Sequence, residues 1–173
     1  MPSASRRSTA SGDRGDRPSK RKDIHERALG LLAVRQRSRR ELERRLVQAG
    51  FDRDAVEKEL ERLEQVGLID DAAFAAAVVE SRMARGESRR AVGLRIQQAG
   101  VDRDVAQAAL EEAPEGEQAR ADRLAESRAT RVSGLDPATG FARVSGFLMR
   151  RGYAPGVARQ AARKALGLEG IQA

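Results

Sequence analysis

The sequence predicts an all-α fold: an elongated array of three tandem three-helix repeats, about nine helices, with a disordered basic N-terminal tail. Three observations predict it. The phrase SRRELERRLVQAGFDRD, beginning at Ser38, returns as SRRAVGLRIQQAGVDRD at Ser88, 50 residues on, and a period of this length marks a repeat architecture. Apolar residues recur at three- and four-residue spacing between Ser or Asp starts and Gly stops, the pattern of capped helices. No stretch alternates apolar and polar residues with the period of two that a half-buried strand shows.

The elements follow in order. Ile24, Ala28, Leu31 and Leu32 mark one face of an opening helix. Ser38, with Glu41 three residues on, is a capping-box start for a second helix whose inward stripe is Leu42 and Leu46. Gly50 suits a left-handed stop, and Asp52 caps a third helix carrying Val56, Leu60 and Leu63, which Gly67 ends. The plan then repeats. Asp70 caps a helix with Phe74, Val78 and Val79 inward, stopping near Gly86. Ser88 caps the next, with Val92 and Ile96 in the places of Leu42 and Leu46, and Gly100 ends it. Asp102 starts a helix with a shorter stripe of Val105 and Leu110, and Pro114 and Gly116 break the chain. A more divergent third unit opens with a polar helix containing Leu124. Asp136 caps and Pro137 occupies the first position of the next helix, in which Val144, Leu148 and Gly152 match Val92, Ile96 and Gly100 at an offset of 52. Pro155 starts the last, through Val157, Ala161 and Leu166. The predicted units are residues 1–22, a tail; 23–67, repeat 1; 68–114, repeat 2; and 115–173, repeat 3 with a short C-terminal tail. A unit of this size buries little apolar surface alone, so the units are expected to stack.

Composition narrows the functions. Aromatics are 3% of the 173 residues with no Trp, which argues against a large aromatic-lined pocket, and Cys is absent, which removes disulfides and thiol chemistry. No apolar run approaches the roughly 18 residues of a membrane span, and no apolar core of a secretory signal follows the charged start; a cytoplasmic protein is expected. Net charge is +7, of which residues 1–22 carry +5. The basic character therefore belongs largely to a Ser-, Gly- and Arg-rich tail with too little apolar surface to order itself, either a solvated extension or an electrostatic arm for DNA.

Candidates for catalysis are few. His25 is the only histidine and reads as a surface residue of the opening helix. Asp70 and Asp71 could suggest a metal pair, but helix capping and a favourable dipole account for both. The glycines stand singly at helix ends, in neither a phosphate-loop nor a dinucleotide arrangement. No enzyme, cofactor or metal site is expected.

What remains is arginine. Arg39, Arg40, Arg44 and Arg45 crowd the second helix of the first unit, Arg89, Arg90 and Arg95 the equivalent helix of the second, and Arg150 and Arg151 that of the third. Cations in a first helical turn gain nothing from the helix dipole, so Arg39, Arg40, Arg89 and Arg90 lack a local reason to recur. Guanidinium groups spaced by a repeat suit a partner that presents phosphates or carboxylates. A solvated face laced with Glu is the plainer account, and a helix-turn-helix-like DNA-binding module or a scaffold for another protein are the rivals.

The stretches RSRRELERRLVQAGF, LERLEQVGLIDDAAFA and FLMRRGY together resemble the RecX family of bacterial regulatory proteins, from about Asp23 to Leu168. The resemblance implies tandem three-helix repeats and a non-catalytic role. It implies as partner the RecA filament on single-stranded DNA, whose ATPase, strand-exchange and coprotease activities such proteins lower. DNA, through the tail and the arginine face, is a further expected partner; a monomer is expected.

Overall fold

The computed structural model describes residues 18–113 and 116–168. The expected tail therefore lies outside the described residues up to residue 17, as do Pro114 and the last five residues. Among the described residues there are nine α-helices and no strand. Repeat 1 holds α1 (Pro18–Val34), α2 (Arg39–Gln48) and α3 (Arg53–Gln65); repeat 2 holds α4 (Asp71–Ala84), α5 (Arg89–Ala99) and α6 (Arg103–Glu111); repeat 3 holds α7 (Glu117–Ala129), α8 (Pro137–Arg150) and α9 (Pro155–Ala165). The first helix starts at Pro18, more than a turn ahead of the expected Asp23, since proline's fixed φ suits the first helical position.

Side-chain caps set the starts. Ser38, Asp52, Asp70, Ser88, Asp102 and Asp136 each accept a backbone N–H from the first turn of the helix that follows, and such a cap is worth about 1 kcal/mol. Left-handed glycines follow the ends: Gly50, Gly67, Gly86, Gly100 and Gly152 all have positive φ.

Each repeat has its own core. Leu42, Leu46, Leu60 and Leu63 are sealed from solvent with Ile24 and Ala28 in the first, each leucine contributing about 1.5–3 kcal/mol by burial. Phe74, Val79, Val92 and Ile96 fill the second. There α6 buries Ala106 and Ala109, while the expected Val105 and Leu110 are half-buried at the margin. The third core is built largely from alanine, with Ala121 and Ala125 of α7 against Ala158, Ala161 and Ala162 of α9, so those two helices pack closely around Val144 and Leu148. His25 is also more than a surface residue: its Nδ1 lies 2.6 Å from Oε1 of Glu59, which is itself buried.

The repeats meet end to end through their middle helices. Ser38 accepts the Glu41 N–H as cap of α2, and its hydroxyl donates to the Ala99 carbonyl at the end of α5. The Arg39 N–H donates to Asp71 Oδ1 at the start of α4, 2.8 Å away. At the second joint Ser88 N–H donates to the Arg151 carbonyl at the end of α8, 3.0 Å away, and the Arg151 guanidinium donates to the Arg85 carbonyl. Ala99 and Arg151 both immediately precede the left-handed glycine of their repeat, so one carbonyl position serves both joints.

Those glycines are required by contact as well as by φ. A Cβ at Gly100 (φ +86°) would lie 2.6 Å from Arg40 Cβ, and one at Gly152 (φ +92°) would lie 2.7 Å from Ala91 Cβ and from Ser88 Oγ. At Gly50, which has the same turn (φ +90°) at the end of α2, such an atom meets nothing within 4 Å. The repeated phrase thus carries both halves of a joint: its opening Ser-Arg-Arg meets the closing Ala-Gly of the next copy or its counterpart.

Candidate partner-binding arginine face

The nine arginines singled out by the sequence divide into three groups. Arg39, Arg89 and Arg151 are half-buried and held by their own chain. The Arg39 guanidinium bonds Glu57 at 2.6 Å and Glu64 at 3.0 Å. Arg89 donates to the Ala113 carbonyl at 3.0 Å, and Arg151, beyond its contact with Arg85, stacks 4.6 Å from the centre of the Phe147 ring. Arg39 and Arg89 therefore have the local reason to recur that the dipole argument alone does not supply.

Arg45 and Arg95 belong to ion-pair hubs. In repeat 1 the Glu41 carboxylate receives Arg35, Arg37 and Arg45. Arg37 is buried and also caps α1 through Nε to the Leu31 carbonyl at 3.0 Å. In repeat 2 position 87, equivalent to Arg37, is a glutamate, and Glu87 receives Arg82 at 3.2 Å and Arg95 at 2.7 Å. The hub is kept while its charges change places. Burial pushes the Glu41 carboxyl up, but hydrogen bonds from Arg35 and Arg37 outweigh it and hold the group below the ordinary glutamate value. Glu87 follows the same balance, with burial opposed by Arg95 and Arg82.

Arg40, Arg44, Arg90 and Arg150 form the third group. All are exposed, and none has an acidic partner within ion-pair distance among the described residues. Arg40 and Arg44 lie one turn apart on α2 and line a cleft of about 480 Å³ over the first joint. Arg53, from the first turn of α3, lines the same cleft and was not a sequence candidate; its place directly after the capping Asp52 reads as helix-start chemistry and hides it. Arg90 stands in a second cleft, of about 320 Å³, on α5. Asp70 is a cap, accepting Ala73 N–H at 2.9 Å. Asp71 serves the joint, and burial raises its carboxyl above the ordinary aspartate value against the pull of the Arg39 N–H.

Among the described residues there is no group of three His, Cys, Asp or Glu arranged to hold a metal, and no helix is long and apolar enough to cross a membrane.

Comparison with known proteins gives one consistent result. Models of the first, second and third three-helix domains of RecX match residues 25–63, 70–110 and 115–162. The chain is 39% identical to the regulatory protein RecX of Streptomyces coelicolor, over 98% of this chain and 93% of that protein. It is 36% identical to the regulatory protein RecX of a Mycobacterium species (strain JLS), over 84% of this chain and 83% of the other. Its fold superposes on the crystal structure of RecX from Lactobacillus salivarius with a TM-score of 0.73 at 21% identity, covering 87% of this chain and 98% of that one.

Proposed function

The chain belongs to the RecX family, whose members modulate RecA, and we propose that it binds the RecA filament on single-stranded DNA as a non-catalytic inhibitor. In this reading it lowers RecA's ATPase, strand exchange and coprotease activity, and so modulates recombination and repair. The observation that carries the reading is the surface set of Arg40, Arg44 and Arg90, exposed without acidic partners on equivalent helices. Exposed guanidinium groups of this kind engage phosphate or carboxylate bidentately. Arg39 and Arg89 support the face by fixing α2 and α5 to their neighbours, and make poor candidates for direct contact.

The test is RecA ATP hydrolysis on single-stranded DNA, with and without the protein. The wild-type chain suppresses hydrolysis. The variant Arg40→Glu, Arg44→Glu, Arg90→Glu keeps its helicity and loses most of the suppression, because exposed substitutions cost within about 0.5 kcal/mol each. Arg39→Glu instead lowers the melting temperature, since it sets a carboxylate against Glu57 and Glu64. Full suppression by a well-folded triple variant excludes this face as the contact.

A further inference from the structure

The cleft over the first joint gathers three guanidinium groups that have no acidic partner within ion-pair distance among the described residues. Arg40 and Arg44 are one helical turn apart, where like charges repel, and Arg53 approaches from another helix. Two carboxylates, Glu43 and Asp71, also line the cleft. Asp71 is committed to the Arg39 N–H, and neither lies within ion-pair distance of the three arginines. The arrangement recurs in part at an offset of 50: Arg90 and Arg103 hold the places of Arg40 and Arg53, while Leu94 replaces Arg44. In repeat 3 the corresponding residues, at an offset of 52 from repeat 2, are Ala142 and Pro155.

We infer that Arg40, Arg44 and Arg53 form a site for the phosphate groups of a nucleic-acid backbone, with Arg90 in the second cleft as a weaker contact one repeat along. The proposal rests on the arginine face assigned above but does not require RecA. Three features select this ligand. Bidentate guanidinium recognition fits phosphate. Apart from Gly100, the lining of the first cleft is wholly charged, whereas a protein partner would need an apolar centre to its interface. No aromatic side chain lines either cleft, so bases have no stacking platform and the contact is to the backbone, independent of sequence.

The experiment is fluorescence-anisotropy titration of the full-length chain with a labelled oligothymidylate of about 20 nucleotides at several salt concentrations. Each phosphate contact contributes about −0.7 to the slope of log K against log salt for a single strand. The variant Arg40→Gln, Arg44→Gln, Arg53→Gln therefore flattens the slope by about 2 and weakens binding at least tenfold at low salt. Arg90→Gln has a smaller effect. Arg131→Gln, Arg143→Gln, Arg159→Gln removes the same net charge from repeat 3 and leaves the slope unchanged. Any contribution from the basic N-terminus is common to all variants and cancels in the comparison. Inorganic phosphate at the oligonucleotide's total phosphate concentration does not displace it, which separates a polymer site from one for free phosphate. An unchanged slope in the first variant, an equal loss in the repeat 3 variant, displacement by inorganic phosphate, or equal affinity for polyglutamate overturns the proposal. Failure of the wild-type chain to suppress RecA's ATPase would overturn the filament reading and leave this site standing.

Discussion

Replacing Gly100 by alanine separates the strength of a joint from the strength of a repeat. The left-handed backbone alone costs a residue with a Cβ about 1–2 kcal/mol, and Gly50→Ala incurs the same cost at nearly the same φ with open space around it. At Gly100 the new methyl also falls 2.6 Å from Arg40 Cβ, an atom fixed to the α2 backbone that cannot swing aside. The end of α5 must therefore move away from the start of α2. That movement breaks the Ser38 hydroxyl bond to the Ala99 carbonyl, worth about 1 kcal/mol, and the Arg39 N–H bond to the Asp71 carboxylate, worth about 1.5–3 kcal/mol. Gly100→Ala is thus expected to exceed Gly50→Ala by about 2–4 kcal/mol in urea denaturation. The three cores share no cluster, so the loss falls on the coupling between neighbours: the unfolding transition broadens, and small-angle scattering reports a changed radius of gyration while far-ultraviolet dichroism stays helical. Equal destabilisation by the two variants, with identical scattering profiles, would refute the reasoning.

Two further outcomes follow from the same geometry. Ser38→Asp retains a helix cap but cannot donate to the Ala99 carbonyl, so it destabilises the chain more than Asn at the same site, measured by thermal melting. The carboxyls of Glu41 and Glu87 are held below their ordinary value in the folded state. They therefore contribute stability that is fully present above the ordinary glutamate range and is lost as pH falls through the depressed folded values; Glu41→Gln makes the urea midpoint both lower at neutral pH and less sensitive to acid.

The fold was legible because its signals are local. Capping Ser and Asp, single glycines and three-to-four spacing fix each helix within one stretch of chain, and Ser38, Asp70, Ser88 and Asp136 cap where their sequence context says they should. In repeat 2 the spacing found the margin of the core rather than its centre: Ala106 and Ala109 are buried, while Val105 and Leu110, like Val78, pack half-buried against the same cluster, because a small side chain permits closer helix approach than hydrophobicity alone suggests. The arginine face was legible only as a cluster. Which arginines are committed depends on partners distant in sequence, such as Glu57 and Glu64 for Arg39 or Ala113 for Arg89. Arg53 was missed because a residue after a capping Asp attracts no notice until α2 and α3 are seen to share a cleft.

The end-to-end joints also bear on how such a chain can be lengthened. Both halves of the linkage, the Ser-Arg-Arg start and the Gly finish, lie on one stretch of about a dozen residues. A tandem duplication of the coding segment therefore delivers a module that already fits its parent on either side, with no second change needed. The third module breaks this reciprocity. Its middle helix begins instead with Asp136 and Pro137, so it has neither a side-chain hydroxyl to donate as Ser38 does nor an N–H to donate as Arg39 does. That start acts as punctuation: a copy joined behind it would meet neither of the two donors that hold the first joint.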